Sequence, residues 1–154
     1  MRYRKLEGFD QATPNPSYDY VFGKGLDEFW VNSPIGVGQA VFTRLRLWEG
    51  EWFLDTTEGT PWLQEILSSQ IKDTTPLYDI ALKTRILETP HVISIQDYSS
   101  NLNVTTRKLT VSMKIDTDYG GLQVSATFGP GGAISFVPSL IFTDPRDSQY
   151  LPIV

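Results

Sequence analysis

Between Lys108 and Phe128 the chain alternates apolar and polar residues in two runs. Leu109, Val111, Met113 and Ile115 interleave with Thr110, Ser112 and Lys114, and Leu122, Val124, Ala126 and Phe128 interleave with Gln123, Ser125 and Thr127. A period of two is the pattern of a strand buried on one face and wet on the other. Asp118-Tyr119-Gly120-Gly121 separates the runs with turn-forming residues, so the pair reads as an antiparallel hairpin. Upstream, Ile93 and Ile95 alternate with Ser94 and Gln96 after the Thr89-Pro90 breaker. This adds a strand over Val92 to Tyr98, joined to the hairpin by a polar loop from Ser99 to Thr106. The expected sheet is a three-stranded meander with two open edges, and an open edge accepts a strand from another chain. Leu122 and Val124 lie on the strand expected to offer one of them.

The helical signals precede the meander. Ser33-Pro34 places a capping hydroxyl before a proline whose missing N–H costs nothing at the first helical position, and Thr60-Pro61 and Thr75-Pro76 repeat the signal. From Ser33 to a stop at Gly50, Val37, Val41, Leu45 and Trp48 fall on one stripe, while Gln39, Thr43 and Arg46 take the opposite side. Arg44 lies on the apolar stripe, so its guanidinium must snorkel, pair internally with Asp55, Glu51 or Glu88, or face another subunit. Glu51 to Asp55 is expected to run extended through Trp52 into the turn cluster Thr56 to Gly59. A short second helix follows from Pro61 to about Ile71. A third, from Pro76 to about Leu87, has two apolar arcs: Leu77, Ile80 and Leu87 on one, Leu82 and Ile86 on the other. A helix apolar on two sides is sandwiched, between the sheet and either the first helix or a partner.

The flanks read as arms. Residues 1–32 mix seven large aromatics with Thr13-Pro14-Asn15-Pro16, which forbids a continuous helix and leaves an extended arm with a possible short strand at Tyr18 to Phe22. These aromatics either cover the chain's own core or dock on a neighbour. Gly129-Pro130-Gly131-Gly132 reads as a linker into a tail carrying Ile134, Phe136, Val137, Leu140, Ile141 and Phe142, split by Pro138, which either folds back as a strand or reaches a neighbour. The expected fold class is therefore α+β, with about three short helices packed on a small antiparallel meander. It divides into an arm (residues 1–32), a core domain (33–128) and an apolar extension (129–154).

Composition narrows the function. Eighteen acidic against thirteen basic residues give a net charge of −5, which argues against tracking nucleic-acid phosphates. No cysteine is present, so disulfides and thiolate metal sites are excluded, which fits folding in a reducing compartment. The basic N-terminus lacks an apolar segment behind it and no run of eighteen apolar residues occurs, so neither a signal peptide nor a membrane span is expected. Glu49, Glu51, Asp55 and Glu58 gather around the tryptophan crossing and could in principle serve glycoside hydrolysis, but surface acids in a turn carry little weight. His91, the sole histidine, has no triad pattern around it, and Gly36 and Gly38 lack the strand and the Lys of a phosphate loop. No cofactor or metal is expected. The two glycines instead suit close helix packing.

Gly50-Glu51-Trp52, the Gly-containing turn behind it, a helix ending in a Glu/Pro corner (Glu88-Thr89-Pro90-His91) and the closing meander, taken in that order, resemble the sheath initiator family of contractile phage tails, small baseplate wedge proteins once described as lysozyme-like. The resemblance covers about Ser33 to Phe128. It departs at two steps: Trp52 stands where the family has arginine after Gly-Glu, and His91 follows a one-residue insertion where the family has Glu-Pro-Arg. The resemblance implies a structural, non-enzymatic virion protein. It would sit in the tail baseplate after assembly in the host cytoplasm, in several copies around a sixfold tail, between wedge proteins and the tail sheath protein. Arg44, Glu51, Trp52, Glu88, Pro90, His91, Leu122, Val124 and Phe136 are the candidate partner-binding residues. The alternatives are a peptidoglycan-degrading enzyme, and a tail completion or adaptor protein outside the sheath path whose meander edge its own tail would cover.

Overall fold

A computed structural model describes residues 1–9, 19–60, 77–103, 105–129 and 134–140. Within these the fold is α+β. β1 (Arg2–Arg4) pairs antiparallel with β2 (Phe29–Val31), helix α1 (Pro34–Arg46) follows, then helix α2 (Leu77–Leu87). β3 (Val92–Asn103), β4 (Lys108–Thr117), β5 (Gly120–Phe128) and β6 (Ile134–Leu140) form one antiparallel sheet in chain order. The expected helix from Pro61 to Ile71 lies outside the described residues, so two helices are seen of the three expected.

The hairpin forms as its alternation dictates. β4 buries Leu109, Val111, Met113 and Ile115, and β5 buries Leu122, Val124, Ala126 and Phe128. Thr117 pairs with Gly120, leaving a two-residue loop, Asp118-Tyr119. The Thr117 hydroxyl donates to the Gly120 carbonyl at 2.6 Å and accepts the Tyr119 N–H at 3.2 Å.

β3 departs from expectation. It runs to Asn103, through the stretch expected to be a loop, and its pairing with β4 is interrupted between Val92 and Ser94 and between Gln96 and Ser99. Each irregularity shifts the phase of the side chains. Val92, Ile95, Tyr98 and Leu102 therefore pack on the core while Ile93 turns to solvent, and Asp97 sits at φ 49° in the second irregularity.

Of the two courses expected for the tail, residues 134–140 take the first and fold back as a strand. β6 pairs with β5 from Phe128↔Ile134 to Leu122↔Leu140, so the chain covers its own β5 edge, and among the described residues the unpaired edges of the sheet are β3 and β6. Pro138 is accommodated in β6 because an edge strand does not need every N–H. Residues 141–154 lie outside the described part.

Helix α1 is buried on two sides, not one. Ser33 precedes it in extended conformation with Pro34 behind, but the Ser33 hydroxyl makes no capping bond; the Ser33 carbonyl accepts the Val37 N–H at 3.2 Å. A Cβ on Gly38 would come within 2.6 Å of Leu122 Cδ2, and one on Gly36 within 2.8 Å of Trp30 Cβ. The helix thus touches the sheet on one flank and the β1–β2 ribbon on the other. Phe42, off the expected stripe, is fully buried with Val37, Val41 and Leu45. The helix ends at Leu47, before Gly50, without a glycine cap.

Gln39, expected on the wet side, is only 5% exposed and ties the ribbon down. Its Oε1 accepts the Leu6 N–H at 2.9 Å and the Trp30 Nε1–H at 3.1 Å, and its Nε2 donates to the Arg4 carbonyl at 2.6 Å. The ribbon is extended beyond its strands by the Leu6↔Tyr20 bridge, and the arm expected to be extended is folded back on itself. Leu6 and Phe9 enter the core, where the rings of Phe9, Phe42 and Phe136 lie 5.4 to 5.7 Å apart in a mutual cluster. The core therefore draws on both flanks of the 33–128 segment.

α2 places Leu82 and Ile86 inside and leaves Ile80 and Leu87 exposed. No helix among the described residues is long and apolar enough to cross a membrane. Gln39→Leu preserves bulk but strands two buried N–H groups and a carbonyl. We expect a loss of about 2–4 kcal/mol in urea unfolding, with faster exchange of the Leu6 amide.

Candidate interaction site

The sequence from Trp48 to Thr60 closes into a loop whose ends meet. The Thr60 N–H donates to the Leu47 carbonyl at 2.7 Å and the Glu49 N–H donates to the Thr60 carbonyl at 3.0 Å. Thr60, read from sequence as a cap for a following helix, is fully buried and donates its hydroxyl to the Arg44 carbonyl at 3.0 Å. One of the orphan carbonyls at the α1 C-terminus is thereby satisfied. Gly59 sits at φ 137°, and a Cβ there would collide with the Trp48 and Glu49 backbone. The segment expected to run extended is instead three successive turns: Glu51 N–H to Trp48 O, Asp55 N–H to Trp52 O and Glu58 N–H to Asp55 O.

Under this loop lies a cluster of charges. Arg85 is buried on α2, and its Nη2 meets Glu58 Oε1 at 2.6 Å. Arg44 Nη2 lies 3.6 Å from the same Glu58 oxygen and 3.7 Å from Glu88 Oε2, and its Nη1 donates to the Glu88 carbonyl at 2.7 Å. Of the expected partners, Glu88 is thus found, while Glu58 takes the place of Asp55 and Glu51. Burial, and next the neighbouring Arg85 charge, push the Arg44 pKa down. The Arg85 hydrogen bond holds the Glu58 carboxyl below its usual range, and the Thr57 hydroxyl and N–H do the same for Asp55. Charges this close are stable only as a balanced set, since removing one partner leaves the other buried and uncompensated.

A groove of about 630 Å³ opens over the cluster, lined among others by Tyr20, Thr43, Arg44, Glu51, Trp52 and Arg85. A second hollow of about 520 Å³ shares Tyr20, Thr43 and Arg44 with it and extends to Phe22 and Pro90. Of the residues singled out by sequence, Arg44, Glu51, Trp52 and Pro90 therefore meet on one surface, with Glu88 joined through its pair with Arg44. His91 lies apart, at φ 72°, its Nδ1 3.0 Å from Asp118 Oδ2 and its carbonyl accepting the Asp118 N–H; it braces the corner after α2 against the β4–β5 turn. Leu122, Val124 and Phe136 are core residues, whose side chains have no surface to present. Leu122 and Val124 stand on the sheet face packed into the core, Leu122 directly under Gly38 of α1, and the backbone edge they were expected to offer is paired with β6.

Sequence reading passed over Arg85, although it carries the same signal as Arg44, a guanidinium beside the buried arc of its helix. Among the described residues no group of three or more His, Asp or Glu could hold a metal ion. For the acid hydrolysis reading, the carboxyls with resolved shifts here, Asp55 and Glu58, are pushed toward ionisation. A general acid needs the reverse.

The family model for the contractile injection system sheath initiator matches residues 8–120. The chain belongs to that family, which is structural. The match takes in residues 8–32, which the resemblance from sequence left out, and stops at Gly120, where β5 begins. No curated protein matches the chain.

Two outcomes test the cluster. Glu58 has a folded pKa below its ordinary 4.5, so its contribution is complete above that value and is lost as pH falls through the folded pKa. The urea midpoint should hold steady above 4.5 and decline below it, with a shallower decline in Glu58→Gln. Gly59→Ala forces a side chain into a left-handed, crowded position and should cost about 1–3 kcal/mol in thermal unfolding.

Proposed function

We propose that this sheath initiator joins the wedge scaffold of a contractile-tail baseplate to the first ring of sheath, and that it does so by accepting a sheath strand at the outer edge of β3. The observation that carries the reading is the shape of that edge. β3 is the longest strand among the described residues, and beyond its second irregularity Ser99–Asn103 pairs in unbroken register with Ser112–Lys108, leaving five regular residues whose other side has no strand partner among the described residues. The β6 edge is less suited, because Pro138 interrupts its row of donors. An added strand gains a ladder of backbone hydrogen bonds, and a ladder resists pulling along the tail better than exposed ion pairs do.

In this reading the wedge side is the Arg44 surface, with Glu51, Trp52, Glu88 and Pro90 as contact residues and His91 supporting the corner from behind. Several copies, set by the sixfold tail, sit in the baseplate. The departures from the family pattern at Trp52 and His91 change which side chains meet the wedge proteins, not the arrangement of the sheet. A second reading, an adaptor outside the sheath path, draws support from β6, since a tail folded over β5 is what such a protein was expected to have. The open β3 edge favours the first.

Neighbouring residues of a strand point their N–H groups to opposite sides, so proline at Ser100 and proline at Asn101 have unequal effects. One removes a bond to β4 and lowers the melting temperature. The other removes only an outward donor, keeps the melting temperature, and should reduce sheath nucleation on purified baseplates about tenfold. Normal sheath growth from the stable variant would rule out strand addition at β3.

A further inference from the structure

The tip of the Trp48–Thr60 loop is unlike the rest of the surface. Trp52, Phe53 and Leu54 are consecutive and are 41, 84 and 69% exposed. Scattered apolar residues on a surface need no explanation, but three adjacent large ones at the end of a loop do. Folding does not account for them, because the side chains lie outside the core cluster. The backbone beneath them is built: three turns, the Thr60 neck, the crowded Gly59, and Asp55 Oδ1 accepting both the Thr57 N–H at 3.0 Å and its hydroxyl at 2.6 Å. A tip held this firmly loses little conformational entropy on docking.

The loop's own charge is of one sign; Arg44, Arg46 and Arg85 line the groove behind Trp52 and do not belong to the loop itself. Residues 48–60 contain Glu49, Glu51, Asp55 and Glu58 and no Lys or Arg. Glu58 is neutralised by Arg85 below the loop, which leaves Glu49, Glu51 and Asp55 exposed beside the apolar tip. Such a collar repels anionic lipid headgroups and a second identical collar alike, and it complements a basic rim.

We propose that Trp52, Phe53 and Leu54 form a rigid plug that inserts into an apolar socket on a different protein of the particle, a socket rimmed by Lys or Arg. The plug is separate from the β3 edge, and its failure and that of strand addition are distinguishable. Loss of the plug keeps the chain out of the baseplate, whereas loss of the edge leaves it in the baseplate without sheath.

The test uses the full chain assembled into its own contractile particles. With p-benzoylphenylalanine in place of Phe53, ultraviolet light should yield one adduct, mapped by mass spectrometry to an apolar site flanked by basic residues on another protein. Phe53→Asp and Leu54→Asp should each lower incorporation at least tenfold while the purified chain keeps its unfolding midpoint. Glu51→Lys should lower incorporation in the same direction. An adduct to a second copy of this chain, no adduct in complete particles, incorporation of Phe53→Asp at the wild-type level, or binding of the purified chain to phosphatidylcholine–phosphatidylglycerol vesicles would each overturn the proposal.

Discussion

Most of the architecture depends on one buried amide. Gln39 makes three hydrogen bonds from the middle of α1, two of them to groups of the N-terminal backbone and one to the Trp30 indole. A buried amide so fully engaged fixes position as well as contributing energy, because any slip of the ribbon leaves donors and acceptors unpaired in a dry setting. Fixing the ribbon delivers Leu6 and Phe9 to the core and gives α1 a second packed flank. Salt bridging and cation–π contact then finish the ribbon from outside. Arg4 pairs with Glu28 and stacks its guanidinium over Phe22 and Phe29, while the Lys24 N–H and the Arg4 charge keep the Glu28 carboxyl below its usual range.

What could be read from sequence followed the strength of local periodicity. The β4–β5 hairpin was legible because its side chains obey one period on one partner surface. β3 was legible in existence but not in phase: two irregularities each move the side-chain pattern, so Ile93, which alternation puts inside, faces out. β6 was legible only as one of two courses for the tail, because Pro138 and the glycines before it argue against a strand unless the strand is an edge. The two helices exchange their expected roles for the same reason. A wheel shows which residues are apolar, not how many surfaces arrive, and the ribbon that covers the Gln39 side of α1 is specified by hydrogen bonds that no hydropathy pattern records.

The candidate surface was legible at its anomaly. Arg44 on an apolar stripe left three outcomes open, snorkelling, an internal pair or another subunit, and the structure pairs it internally with Glu58 as well as Glu88. The choice among acids depended on how the Trp48–Thr60 loop folds, and the loop is shaped by Gly59 at its neck, a constraint visible only once the two ends are seen together. Trp52, a candidate partner-binding residue from sequence, is half-exposed at the wall of the groove, and its neighbour Phe53 stands farther out.

The ring cluster of Phe9, Phe42 and Phe136 has a bearing on how the chain is made. Its members are far apart in the chain, so the contact that closes the core joins Phe9 to Phe136. During synthesis Phe9 and Phe42 emerge long before Phe136 exists to cover them, and until then the nascent chain carries that aromatic surface uncovered. Contacts of such long sequence separation also slow the search for the native state. Closure of the core thus waits for β6, and a chain stopped ahead of it leaves Phe9 and Phe42 partly uncovered and the β5 edge unpaired by β6, a ready substrate for aggregation or proteolysis.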